Sequence, residues 1–156
     1  RIYQNVGESK AHGVELYVLY DVEALGVSPY VNLTWTKRKN EYADFSTWDS
    51  GVPEFSGRAG VRWQGDLSVA QGLWADLYLR GETSSEIEEP GSSRAVVEDR
   101  ASWTTLNMAG GLAMGEREQY KLSLELHNLL DETYVASAEN LYGPERSVSV
   151  KFTVDL

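Results

Sequence analysis

The last ten residues of the chain, SVSVKFTVDL, alternate strictly between apolar and polar side chains. Successive side chains of a β-strand point to opposite faces, so one face of this segment is wholly apolar and the other carries serine, lysine, threonine and aspartate. The run YKLSLELH at residues 120–127 repeats the pattern. A sheet built from such strands has one apolar face and one charged face, and the fold must give each face a suitable surrounding.

The same alternation recurs along most of the chain, whereas stretches with a helical period are scarce. A stub of an eighth strand, RIYQN, occupies residues 1–5. Most of the predicted strands match or exceed the roughly 9–11 residues that a tilted strand needs to cross a bilayer. About seven full strands are predicted, at residues 11–23, 28–40, 55–66, 73–86, 101–114, 119–136 and 146–156.

The connections between these strands alternate in length. EALGVS, GDLSVAQG and GEREQ are short, whereas NEYADFSTWDSGVPE, SSEIEEPGSSRAVVEDR and SAENLYGPER are longer and more polar. Transmembrane hairpin barrels have tight turns on one side and longer loops on the other. A soluble meander does not require this asymmetry. The predicted fold class is all-β: an antiparallel up-and-down meander of about seven to eight strands. We interpret residues 1–156 as a single segment of a transmembrane β-barrel, with its apolar face toward lipid.

Tryptophan and tyrosine are frequent near the ends of the predicted strands. Amphipathic rings gather at these depths in membrane barrels, where they form girdles at the two interfaces. The ordinary preference of strands for aromatic residues is an alternative explanation. The residues assigned to such girdles are Trp35, Trp63, Trp74, Trp103, Tyr20, Tyr30, Tyr42, Tyr120, Tyr134 and Tyr142.

The composition argues against several classes of function. The formal charge of −10 argues against a nucleic-acid partner. The chain contains no cysteine, which excludes disulfides and thiolate metal sites. Since the sequence has no Ser/His/Asp constellation, phosphate loop or His-rich metal spacing, we expect neither an enzyme nor a bound cofactor or metal.

Several short motifs resemble the TonB-dependent outer-membrane receptors. The penultimate strand runs into Asn-Leu-x-Asp-x-x-Tyr, and a loop with a Gly-Pro-x-Arg element leads to the final strand. NVGESKAHGVEL and GVPEFSGRAGVRW resemble earlier segments of the same family's barrel. The residues of the C-terminal motif are Asn128, Leu129, Asp131, Tyr134, Gly143, Pro144 and Arg146.

The resemblance implies that the chain is the C-terminal part of a larger receptor, whose barrel of about 22 strands encloses a plug domain. Such receptors stand in the outer membrane of Gram-negative bacteria. They take up a large, scarce nutrient such as a ferric siderophore, haem or a cobalamin, driven by the TonB energy-coupling complex. The expected partners are outer-membrane lipid, the plug domain and the remaining barrel strands. We expect an isolated barrel piece to self-associate through its apolar surface or its open edges.

In receptors of this family, plug apices and extracellular loops hold the ligand. The loops that could contribute here are residues 40–54, 84–100 and 137–146. For Arg146, a structural ion pair with a carboxylate is the alternative to ligand contact. The residues predicted to contact ligand are Tyr42, Phe45, Trp48, Tyr142 and Arg146.

Two other groups invite a chemical role, but a structural explanation is preferred for each. His127 and Asp131 lie four residues apart, which is roughly 13 Å in a strand and too far for an acid–base pair. A bend in which Asn128 and Asp131 bind local backbone groups explains the segment better. The second group is a set of acidic residues between positions 82 and 99, and its spacing resembles no calcium-binding motif. We expect this segment to be a solvated, mobile loop. Its acidic residues are Glu82, Glu86, Glu88, Glu89, Glu98 and Asp99.

Two other architectures fit parts of the pattern. A soluble up-and-down barrel of about eight strands would enclose a small apolar ligand and turn its charges outward. A small, complete membrane barrel of eight strands would need none of the family motifs. A sealed interior containing Leu122, Leu124, Val150 and Phe152 would exclude both membrane barrels.

Overall fold

A computed structural model of the protein describes residues 7–67, 70–91, 96–115, 117–137 and 141–155. The predicted stub at residues 1–5 lies outside them. No helix in these residues is long and apolar enough to cross a membrane. The strands are β1 (Glu8–Leu19), β2 (Val27–Glu41), β3 (Ser46–Thr47), β4 (Phe55–Leu67), β5 (Ala70–Glu82), β6 (Ser85–Glu89), β7 (Val96–Arg100), β8 (Trp103–Met114), β9 (Tyr120–His127) and β10 (Ser147–Val154).

Seven long strands form one antiparallel sheet, in which each pairs with the next long strand of the chain. Their order is β1-β2-β4-β5-β8-β9-β10, and the two-residue β3 pairs with β2. β6 and β7 form a separate hairpin. The sheet is open, since β1 and β10 are not paired with each other in the described chain. The prediction of an all-β, antiparallel up-and-down meander is confirmed.

In two of the predicted strands, the backbone turns away well before the predicted end. The strand predicted at 119–136 ends at His127, because Asn128 and Asp131 adopt left-handed backbone conformations with φ of 51° and 58°. The strand predicted at 11–23 ends at Leu19. There the chain enters a short 3-10 turn that closes at Gly26, whose φ is 62°.

The acidic segment that we predicted to be a mobile, solvated loop is instead a hairpin. In it, Glu86 pairs with Asp99 and Ile87 pairs with Glu98. Ile87 also forms a bridge with Ser50 of the preceding long connection, so the hairpin is anchored at its edge. As a result, the strand predicted at 73–86 divides into β5 and β6.

Cross-strand register separates the two faces of the sheet. One row places Val31 beside Ala59 and Leu79. The adjacent row consists of Asn32, Arg58, Arg80 and Thr105. We name these sides the apolar face and the polar face.

The apolar face is exposed rather than packed into a core. Val150 and Phe152 are 67% and 59% exposed, and Leu122 and Leu124 are 37% and 40% exposed. These residues therefore do not form a sealed interior, and the soluble barrel loses its support. The buried hydrophobic residues of the described chain lie on the polar face, and they are Tyr30, Trp103 and Ala113.

The three long connections join strand ends at one end of the sheet, and the short ones join those at the other. The long connections are residues 42–54, 83–102 and 128–146, and the short ones are residues 20–26, 68–69 and 115–119. We refer to the first as the loop end and the second as the turn end. The predicted alternation of connection length is confirmed.

Strand register allows the predicted aromatic girdle for only some of its residues. Register places Trp35, Trp63 and Tyr120 on the apolar face, where a girdle would lie. The assignment was wrong for Tyr30, Trp74 and Trp103, which register places on the polar face. Each of these three residues is adjacent in its strand to a residue of the apolar face. Because successive side chains of a strand point to opposite faces, their rings lie on the polar face.

Candidate functional site

A cluster of charged and aromatic side chains occupies the middle of the polar face. Asp76 on β5 is only 3% exposed. Its carboxylate accepts hydrogen bonds from the Tyr30 hydroxyl and from an Arg58 guanidinium nitrogen, each at 2.9 Å. Arg62 adds a contact at 3.5 Å. We name these four residues the Asp76 cluster; its two cations and one hydroxyl satisfy a carboxylate that would be costly to bury alone.

Strand register and one glycine bring the Asp76 cluster together. Arg62 lies directly opposite Asp76, and Gly60 lies between Tyr30 and Tyr78 in the next row. A Cβ at Gly60 would lie 2.8 Å from the Tyr30 hydroxyl oxygen and 2.7 Å from the Tyr78 Cβ. The missing side chain therefore leaves the space through which Tyr30 reaches Asp76.

Aromatic rings hold Arg58 in place. Its guanidinium carbon lies 3.4 Å from the centroid of the Tyr78 ring, and its Nε donates a hydrogen bond of 2.8 Å to the Tyr30 hydroxyl. Stacking of this kind fixes the plane of the cation. Since Arg58 and Arg62 outnumber Asp76, the cluster places a net positive charge on the polar face, where it can attract an anionic group.

Asn128 joins β9 to β8 and to the last long connection. It is 2% exposed, and its backbone N–H donates to Asn107 Oδ1 at 3.0 Å. Its side-chain Nδ2 donates to the carbonyl oxygens of Glu132 and Pro144, at 2.8 and 3.1 Å. Its Oδ1 accepts from the Glu132 N–H at 2.9 Å. The backbone of Asn128 thus holds the end of β9 to β8, and its side chain holds together two parts of the last long connection.

The neighbouring motif residues also bind locally. Asp131 Oδ1 accepts a 2.9 Å hydrogen bond from the Arg146 backbone N–H, and its other oxygen lies 3.5 Å from the Arg146 guanidinium. His127 contacts Glu125 at 3.2 Å rather than Asp131. The Leu129 N–H donates to the Leu106 carbonyl at 2.8 Å. The geometry is that of a bend, in which Asp131 binds Arg146 and does not pair with His127.

Tyr134 and Gly143 pack the last long connection against β8. The Tyr134 ring stacks on Trp103, with centroids 4.3 Å apart. Trp103 in turn donates its indole N–H to Glu82 at 3.2 Å. The Gly143 N–H donates to the Tyr134 carbonyl at 2.7 Å, and Gly143 lies directly against the Tyr134 ring.

Gly143→Ala is expected to destabilise the protein by about 2 kcal/mol, because the new methyl group overlaps the Tyr134 ring and forces it off Trp103. The measurement is the free energy of unfolding in lipid vesicles. Gly143→Ala combined with Tyr134→Ala supplies the control, since removing the ring removes the clash. An alanine variant as stable as the wild type would show that the contact is not tight.

The three long connections pack against one another at the loop end. The Gly51 N–H donates to the Glu86 carbonyl at 2.8 Å, which joins the first connection to the hairpin. The Arg100 guanidinium donates to the Ser137 carbonyl, and the Ser137 N–H donates to Glu82 at 3.0 Å. The hairpin is therefore linked to the connections on both sides.

The structure separates the predicted ligand-contacting residues into four places. Tyr42 and Phe45 stack on each other with centroids 4.9 Å apart. Trp48 lies beside residues of the apolar face, with its ring 5.9 Å from His12 and 5.7 Å from the Lys37 ammonium. Their contact with ligand stays a prediction.

Tyr142 lines an open cleft of about 720 Å³ between the hairpin and the last connection. Tyr134, Trp103, Glu98 and Asp99 form other parts of its wall. Arg146 lies outside this lining and pairs with Asp131. Among the described residues, no group of three or more His, Asp or Glu side chains could hold a metal ion.

Sequence reasoning missed the Asp76 cluster. Its members were visible only as polar positions on separate predicted strands, and Tyr30 is 46 residues from Asp76. Counting register from each short turn could have paired Arg62 with Asp76, because the connection between β4 and β5 is only two residues long. No comparable feature of the sequence indicates that Tyr30 reaches Asp76 across Gly60.

Comparison with known proteins accounts for the exposed apolar face. No curated protein and no solved structure matches the chain. A family model described as TonB dependent receptor-like, beta-barrel matches residues 1–129, which include β1 to β9 and end just after Asn128. Barrels of this family stand in the outer membrane of Gram-negative bacteria and belong to transport receptors. With its antiparallel meander, its exposed apolar face and a match over most of its length, the chain belongs to the TonB-dependent receptor β-barrel family.

Proposed function

We propose that this chain forms part of the barrel wall of a longer receptor that takes up a large, scarce nutrient through the outer membrane. The nutrient class is a ferric siderophore, haem or a cobalamin, and the TonB complex drives its uptake. The observation that carries the proposal is the arrangement at the loop end. Three connections pack together there, and the second and third of them line a cleft of about 720 Å³ at the edge of a charged sheet face.

The charges of the polar face support the proposal that this face lines a water-filled interior, which holds a plug domain. The Asp76 cluster and Arg80 lie on this face, and their charges need water or polar partners. The open edges at β1 and β10 support pairing with further strands of the same receptor, because unpaired edge strands expose hydrogen-bonding groups.

Uptake by cells that express the complete receptor gene tests the nutrient class. Each class is supplied in labelled form, with and without a functional TonB complex. We expect saturable uptake of one class, which is lost without TonB. Uptake of none of the three, or uptake that does not depend on TonB, would reject this function.

Tyr142→Ala is expected to weaken ligand binding about tenfold, because exposed tyrosines in a cleft supply large contact areas. Binding of the nutrient that passes the uptake test is measured on purified receptor. Tyr20→Ala is the matched control, since Tyr20 is similarly exposed but lies at the turn end. Equal affinity of both variants and the wild type would remove Tyr142 from the ligand contacts while leaving the nutrient class standing.

A further inference from the structure

The apolar face becomes basic at the loop end of β1 and β2. The apolar part of this face, which we name the apolar band, ends at the cross-strand pair Val14 and Trp35. Toward the loops it is followed by the pair His12 and Lys37, and then by the pair Lys10 and Lys39. We name Lys10, Lys37 and Lys39 the rim lysines. They point to the lipid side of the barrel rather than to its interior.

This placement sets the rim lysines apart from the other basic residues of the seven long strands. Those residues lie on the polar face, and they are Arg38, Arg58, Arg62, Arg80, Lys121 and Lys151. The rim lysines therefore form a local cluster of basic residues on the outer surface, bordered on the same face by the pair Glu8 and Glu41.

The depth of the rim lysines suits a lipid headgroup. Two residues along a strand span about 7 Å, or roughly 5 Å along the membrane normal at the usual tilt. His12 and Lys37 thus lie about 5 Å beyond the apolar band, and Lys10 and Lys39 about 10 Å beyond it. The headgroup layer occupies roughly the first 5–8 Å outside the hydrocarbon. The backbone of Lys37 therefore lies within this layer, whereas Lys10 and Lys39 lie just beyond it and reach back to it with their long, flexible side chains.

Lys37 is the member most available to an anion. It is exposed, and no carboxylate of the described chain lies within 4 Å of its ammonium group, which stands 5.7 Å from the Trp48 ring centroid. Lys10 lies 3.3 Å from Glu8, and Lys39 lies 3.2 Å from Glu41. These two lysines are partly neutralised within the protein.

We propose that the rim lysines bind phosphate groups on glycolipid headgroups of the outer leaflet. Lys37 forms the centre of the site, and Trp35 and Trp48 lie beside it at the level where the acyl chains begin. Lysine binds phosphate as a point charge, so contact with a mobile headgroup needs no fixed pocket. This proposal rests on the outer-membrane location of the family and not on the nutrient class.

Lipid retention by the purified receptor tests the site. The receptor is equilibrated in detergent with diphosphorylated lipid A or with the same lipid stripped of phosphate, and bound lipid is measured by mass spectrometry. We expect the wild type to retain the phosphorylated lipid preferentially. The variant K10Q/K37Q/K39Q should retain it at least about tenfold more weakly, since each lysine near an anionic surface contributes several-fold.

Two further variants keep the test specific. K151Q removes an exposed lysine from the polar face and should leave retention unchanged, whereas E8Q/E41Q should strengthen it by freeing Lys10 and Lys39. If the triple variant fails to fold, K37Q alone should still weaken retention about threefold. Equal retention by wild type and lysine variants, or of both lipids, would overturn the proposal whether or not nutrient uptake is observed.

Discussion

Val150→Arg is expected to lower the free energy of unfolding in a lipid bilayer by about 2–4 kcal/mol, because it places a charge against the hydrocarbon near the membrane centre. Val150 lies midway along β10 on the apolar face, opposite Leu124. The receptor is refolded into vesicles and unfolded with guanidinium chloride, and the loss of heat-resistant electrophoretic mobility reports the folded fraction.

Ser149→Arg is the matched control for this change. Ser149 is the adjacent residue of the same strand, but it faces the polar side, opposite Glu125. The same added charge should therefore alter stability by less than about 0.5 kcal/mol. If both variants lost the same stability, the assignment of the two faces would be wrong.

Single cysteines distinguish lipid contact from simple loss of packing. The chain contains no cysteine, so Val150→Cys and Ser149→Cys each introduce one labelling site. A fluorophore at residue 150 should be quenched by brominated lipid, and one at residue 149 by a water-soluble quencher. The reverse pattern would contradict a lipid-facing Val150.

Alternation predicts the faces of the sheet well because every second side chain must share one surrounding. β9 and β10 illustrate this, since all their apolar residues fall on one face in the structure. The order of the predicted strands also predicts which end of the sheet carries the long connections, because strand direction reverses at every connection. Alternation does not distinguish lipid from a protein core. The exposure of Val150 and Phe152 shows that they form no core within the described chain, and the family match places such barrels in the outer membrane.

Sequence patterns fail where a contact depends on residues that are distant in the chain. Asp76 reads as one polar position in an ordinary alternating strand, and its burial comes from Tyr30 and Arg58 on other strands. The end of β9 fails for a different reason. Residues 128–136 contain enough apolar positions to resemble a strand, yet Asn128 leaves the extended conformation to form four hydrogen bonds.

Burial in this protein follows a logic opposite to that of a soluble domain. Asp76, Asn107 and Asn128 are buried, whereas the large aliphatic side chains are exposed. Since lipid offers no hydrogen bonds, the apolar face gains little from packing against other protein, and the polar contacts must specify how the strands and loops fit together. Deleting one of these polar groups should therefore cost more than trimming an aliphatic one.

Asn128→Leu is expected to destabilise the protein by about 3–5 kcal/mol. The three side-chain hydrogen bonds of Asn128 are part-buried, and each contributes about 0.5–1.5 kcal/mol. The Glu132 N–H and the Glu132 and Pro144 carbonyls lose their side-chain partners. Leucine also disfavours the φ of 51° found at this position, at a further cost of about 1 kcal/mol. Unfolding in vesicles measures the total.

Asn128→Gly divides this cost into its two physical parts. Glycine accepts the left-handed backbone, so its loss of stability relative to the wild type reports the hydrogen bonds alone, and the further loss in Asn128→Leu reports backbone strain and the added side chain. Leu130→Ala, at an exposed residue of the same turn, should change stability by less than about 0.5 kcal/mol. A glycine variant as stable as the wild type would mean that the hydrogen bonds to Glu132 and Pro144 do not hold the loop end together. In that case Tyr142, which lies in the same connection, would be positioned by Tyr134 and Gly143 instead.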